Sequence, residues 1–209
     1  MKLSSNQLDF ASQNPKEMAL ALKRKGVMRG GFNKVTKEVC LSYAKGNSTF
    51  KDASYSLEIK LSNAFANNAN NAKRREVCQL VLFNFNVFLK QEGIHCLKNY
   101  SFMNIDMGNN NSIEGQSCAI FQNKEGEYCG VILTDQEYNF ASTLRIPIEQ
   151  YWIAKHMKLN DSAMVKIYIY NIVDHAYQPI QYPADRIAIA FQQSKVVIEQ
   201  VDIEFKKIA

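Results

Sequence analysis

The sequence predicts a mixed α/β fold in a single domain, a central mixed sheet flanked by helices. Three observations predict it. An apolar stretch between Lys73 and Gln91 repeats with helical period through Val77, Leu80, Val81, Phe85 and Phe88. From Tyr100 to Thr134 the period changes to that of strands, and a proline-initiated helix and an aliphatic strand follow. At 209 residues, 46% hydrophobic and 22% charged, the chain has enough apolar material for one core. That composition excludes a disordered, collagen-like or disulfide-dense chain. We read 1–209 as one domain, with a basic helical and loop region at 1–72 ahead of an α/β core at 73–209.

Asn14-Pro15-Lys16-Glu17 reads as a helix start, with Asn14 as cap and Pro15 in the first turn. That helix should end near Lys25, where Lys23, Arg24 and Lys25 suit the negative end of its dipole and Gly26 its C-cap. Gly26, Gly30 and Gly31 make a loop carrying Arg29, and the segment from Val39 to Tyr43 fits either helix or strand. Tyr55 to Leu61 alternates, so it reads as a short strand or as the lead into a helix. Asparagines between Asn63 and Asn71 mark a loop or helix end, after which the Lys73–Gln91 helix should lie at the centre of the core. Tyr100 to Met107 is a strand, Gly108 to Ser112 a turn, and Ile113 to Phe121 and Tyr128 to Thr134 a hairpin. The run Cys129 to Leu133 is that of a strand covered on both faces. A helix follows from Arg145 to Met157 with Pro147 at its first position, then a strand from Met164 to Val173. Its Lys166, Tyr168 and Tyr170 share one face, which packs under a helix or stacks on a single nucleic-acid strand. Pro183 to Arg186 suggests a short helix, and Val201, Ile203 and Phe205 a closing strand.

The formal charge is +5, unevenly placed. Lys16 to Lys45 holds eight basic and two acidic residues, leaving 17 basic and 18 acidic elsewhere. A basic segment beside a neutral body is either a solvated helix end and loop or the footprint of a polyanion partner. Cys40, Cys78, Cys96, Cys118 and Cys129 are odd in number and lack a C-x-x-C pair. This pattern fits reduced, buried thiols in an intracellular protein rather than a zinc site. His95, His156 and His175 stand apart from any ligand cluster. No apolar run approaches ~18 residues and the N-terminus lacks a signal-peptide core, so the expectation is a cytoplasmic protein with no membrane partner.

The order helix, strand, hairpin, proline-initiated helix, strand resembles the core of the PD-(D/E)XK nuclease superfamily between Lys73 and Val173. Glu114-Gly115-Gln116-Ser117-Cys118-Ala119-Ile120-Phe121 looks like that family's G-x-x-D-A-I strand. Gly130-Val131-Ile132-Leu133-Thr134-Asp135 is similar to its E-x-K strand, and Ile146 to Tyr151 to the helix after it. The resemblance implies a restriction-endonuclease-like core in which Cys118 takes the aspartate position, Leu133 the glutamate position and Asp135 the lysine position. A thiol and a leucine supply no hard oxygen ligands for Mg²⁺, so the usual hydrolysis should be absent. Glu58-Ile59-Lys60, with Asp52 upstream, is a literal E-x-K outside the aligned region.

Three functions follow. The leading one is nucleic-acid binding on a degenerate nuclease-like fold, with Lys23, Arg24, Lys25, Arg29, Lys34 and Lys37 on phosphates and no cofactor. The second is an active Mg²⁺ or Mn²⁺ nuclease whose acidic site has migrated to Glu76, Glu114 and Asp135. A protein-interaction or assembly subunit that uses the fold as a scaffold is the third.

Overall fold

The computed structural model describes residues 1–23, 31–46, 48–135 and 143–208. Five helices and a two-residue strand precede the main sheet: β1 (Lys2–Leu3), α1 (Ser5–Gln13), α2 (Pro15–Lys23), α3 (Phe32–Ala44), α4 (Phe50–Ala64) and α5 (Ala69–Glu92). Then come β2 (His95–Lys98), β3 (Phe102–Gly108), β4 (Asn111–Gln116), β5 (Ala119–Gln122) and β6 (Tyr128–Thr134). The chain closes with α6 (Arg145–His156), β7 (Lys166–Asn171), β8 (Tyr177–Ile180) and α7 (Ala184–Ile208). The fold is mixed α/β, as expected, but its strands form two sheets.

The larger has order β2-β5-β6-β7-β8, with β6 and β7 parallel and the other neighbours antiparallel. One face of it carries Phe121, Val131, Tyr168 and Tyr170 into a core shared with Val39, Leu57, Phe85 and Phe88 of α3, α4 and α5. Tyr168 and Tyr170 thus pack under a helix. The opposite face carries Ile120, Ile132, Ile167 and Ile169 against Ile146 and Ile153 of α6. Close approach of α6 requires Gly130: a Cβ there would stand 2.6 Å from Ile167 Cδ1 and 2.8 Å from both Cys118 Sγ and Ile153 Cδ1. The smaller sheet, β1-β4-β3, pairs β1 with β4 in parallel and packs with α1, α2 and α7 around Leu3, Leu8, Ile113 and Ile198.

One expectation left open is decided and three are corrected. Tyr55 to Leu61, open between strand and helix, is helical, because Ala53, Leu57 and Leu61 form the buried stripe while Tyr55 is 69% and Ile59 41% exposed. Thr49 and Asp52 start that helix as a reciprocal pair: Thr49 Oγ1 accepts from the Asp52 amide and Asp52 Oδ2 from the Thr49 amide. The closing strand is instead the end of α7, where Ile187, Ala190, Val197, Ile198 and Val201 are buried at helical spacing. Ile113 to Phe121 is broken at Ser117-Cys118, so β4 and β5 enter different sheets. Finally, α5 buries Cys78, Val81, Leu82, Phe85, Phe88 and Leu89, whereas Val77 (57%) and Leu80 (50%) face outward. Among the described residues no helix is long and apolar enough to cross a membrane, and all five cysteines are buried free thiols.

Candidate nucleic-acid interface

A cleft of about 1400 Å³ opens between the N-terminal halves of α3 and α5. Gly31, in extended conformation, is the N-cap of α3 and sets Phe32, Asn33, Lys34 and Lys37 on the wall. Asn68 caps α5 by accepting from the Asn71 amide at 2.9 Å, which places Asn71, Arg74 and Val77 on the facing wall. Phe65, just past the end of α4, and Asp135, just past the end of β6, complete this part of the lining. Three cations, Lys34, Lys37 and Arg74, stand against two carboxylates, Glu38 and Asp135. The positive ends of two helix dipoles add to the cations.

Asp135 is tied to α3. Its Oδ2 accepts from Asn33 Nδ2 at 2.7 Å and its Oδ1 from Lys37 Nζ at 2.9 Å. The bond from Asn33, then that from Lys37, holds its carboxyl below the usual range. In the same cleft, the Phe32 and Phe65 rings stack with centroids 3.8 Å apart and planes 14° from parallel. The Arg74 guanidinium lies 5.7 Å from the Phe32 centroid. Both rings are half-buried against the helical core.

Of the basic residues singled out in the sequence, Lys34 and Lys37 line the cleft. Lys23 lies elsewhere, its Nζ 5.0 Å from the Phe205 ring of α7. Arg24, Lys25 and Arg29 fall outside the described residues.

The three candidate carboxylates are not brought together. Glu76 is exposed on α5 and Asp135 is in the cleft. Glu114 lies on β4, in the smaller sheet, paired with Lys2 at 3.0 Å and accepting from Ser112 Oγ at 2.9 Å. Among the described residues no group of three or more His, Cys, Asp or Glu could hold a metal ion. Glu58 and Asp52 of the second E-x-K stretch have structural partners, Arg75 at 3.5 Å and the Thr49 cap.

Cys118 and Leu133 lie on opposite faces of the sheet. Residues paired across β5 and β6, such as Ile120 and Gly130, share a face, and Cys118 joins the α6 side while Leu133 packs on the α5 side. Cys118 is instead part of a buried clasp. Its amide donates to Glu149 Oε2 at 2.9 Å, and Ser5 Oγ donates to Glu149 Oε1 at 2.6 Å. Burial, partly offset by Arg145, pushes the Glu149 carboxyl up. Burial and then the Glu149 charge push the Cys118 thiol well up, which disfavours the thiolate form.

Sequence reasoning missed Arg74, Phe32 and Phe65. Lys73-Arg74-Arg75 was a legible signal for the first. Arg75 turns away to Glu58 and to Asn67 Oδ1, at 2.9 Å, and Arg74 is left in the cleft. Nothing local marks the two phenylalanines, which meet only when α3 and α4 pack together.

No family model and no curated protein matches the chain. A solved structure described as "Crystal structure of SSO0001" is similar over 91% of this chain and 84% of its own, at 12% identity and a TM-score of 0.35. Similarity at that level says nothing about what this chain does.

Proposed function

We propose that the chain binds nucleic acid in the α3–α5 cleft, on a nuclease-like scaffold whose usual catalytic carboxylates are replaced, in a reducing intracellular setting. One observation carries the reading: Lys34, Lys37 and Arg74 converge with two helix N-termini on a single open cleft. The cleft exceeds the roughly 300–1,000 Å³ of pockets built for one small molecule, which favours a polymer. The sequence resemblance to PD-(D/E)XK nucleases supports the scaffold in part: α5, β5, β6, α6 and β7 follow in the order it was read on, whereas its strand at Tyr100 to Met107 and the first half of its hairpin lie in the smaller sheet. Lysine and arginine contacts of this kind neutralise phosphates without reading bases, so the affinity is salt-dependent.

The test is a gel-shift series with single-stranded DNA, duplex DNA and RNA, each with EDTA and with Mn²⁺, across a range of salt. A shift that weakens steeply with salt, without shortening of the strand, is expected. Lys34→Ala and Arg74→Ala should each reduce the slope of log affinity against log salt by about 1. Mn²⁺-dependent shortening would instead establish the nuclease, with Asp135 the acidic candidate already in the cleft. Neither effect would shift the assignment to a protein-binding scaffold.

A further inference from the structure

The cleft holds more than charge. We infer that it takes unpaired strands, with a base stacking on the Phe32–Phe65 pair while the phosphates lie against Lys34, Lys37 and Arg74; this rests on the nucleic-acid reading above. Two flat rings 3.8 Å apart and nearly parallel already have the spacing and tilt of stacked bases, and they stand in the wall of the cleft rather than under it. Arg74 lies 5.7 Å from the Phe32 centroid, so a cation and the ring pair meet at one place. Arginine planes and aromatic faces are the surfaces on which splayed bases settle. Tyr100, an exposed ring on the same cleft, gives a second platform.

A duplex cannot use this arrangement. Its bases are stacked on one another, and opening a step to admit a side chain carries an unstacking cost. Both phenylalanines are half-buried against the helical core and line the cleft with what remains exposed. A single strand gains both terms at once.

The experiment is fluorescence anisotropy of the full chain at fixed salt with three probes: an oligothymidylate, an abasic strand with the same number of phosphates, and a duplex. The single strand should bind about tenfold more tightly than the abasic strand, the size of one base-on-aromatic stack. Salt slopes for the two should be equal. Phe32→Leu, which keeps an apolar side chain against Phe65, should remove most of that difference. A strand carrying 2-aminopurine adds a readout on the unaltered protein, since stacking quenches its fluorescence on binding. Equal affinity for the abasic and natural strands, no quenching, or tighter binding of the duplex would overturn the inference and leave the phosphate-binding reading intact. Absence of binding to all three probes would remove both.

Discussion

Asp135 shows how one side chain can oppose the site it belongs to. Its two oxygens take up Asn33 and Lys37, one helical turn apart, in the way a phosphate would. Lys37 is therefore neutralised from within, and on the nucleic-acid reading proposed above an incoming strand meets a carboxylate beside the cation. Asp135→Asn should tighten nucleic-acid binding several-fold and raise the salt slope by about 1, because a released lysine adds one phosphate contact. Anisotropy titrations of the variant check this; a weaker or unchanged affinity would mean that Asp135 positions Lys37 rather than competing for it. Lys34 and Lys37 were legible from charge counting, since a cation needs no partner in sequence to be noticed. Phe32 and Phe65 were not, because an aromatic residue at a helix end reads as core until the helices are docked.

The helices and strands that sequence periodicity located best are those buried on one regular stripe. Helix α6 and strands β6 and β7 lie close to where the pattern placed them. Helix α4 stayed open between strand and helix, and the end of α7 was misread, for a common reason: short windows such as Tyr55 to Leu61 and Val201 to Phe205 satisfy both the strand and the helix period, and only packing decides. For α4 it was the Ala53, Leu57 and Leu61 stripe against α5, and for α7 the twenty-five-residue run against α1, α2 and α6. The contact between β6 and α6 gives the prediction at this scale. Gly130→Ala would drive a methyl into Ile167, Cys118 and Ile153, an overpacking expected to cost about 1–3 kcal/mol. Urea unfolding measures it, and a change below a few tenths of a kcal/mol would show that α6 can retreat freely.

For the molecule as a whole, the buried carboxylates set an unusual dependence of stability on pH. Burial pushes both Asp9 and Glu149 above their ordinary values; Asp9 takes the Leu144 amide at 2.6 Å, and Glu149 joins α1, α6 and the start of β5. A raised carboxylate in the folded state means that the fold holds a proton the unfolded chain has released, so stability declines as pH rises from the ordinary carboxylate value through the raised one. Asp52, Asp135 and Glu114 act in the opposite sense: side-chain hydrogen bonds hold them below their ordinary values, so their contribution is lost as pH falls through that lower range. The two windows do not overlap. Denaturant unfolding at a series of pH values should show the decline on the upper side, and Glu149→Gln should flatten it; an identical slope in the variant would assign the decline to other groups.

The parallel pairing of β1 with β4 has a consequence for synthesis. Lys2 and Leu3 lie beside Ser112 and Ile113, and the terminal ammonium donates to the Asn110 carbonyl at 3.1 Å and to Asn111 Oδ1 at 2.9 Å. As the chain leaves the ribosome, β1 is without its partner until β4 has followed it out. By then α1 to α5 have all been made, so closing the small sheet spans a loop of more than half the chain, a slow contact of high sequence separation. Helices α3, α4 and α5 can pack on one another earlier, and Phe121, Val131, Tyr168 and Tyr170 of the larger sheet complete their core afterwards.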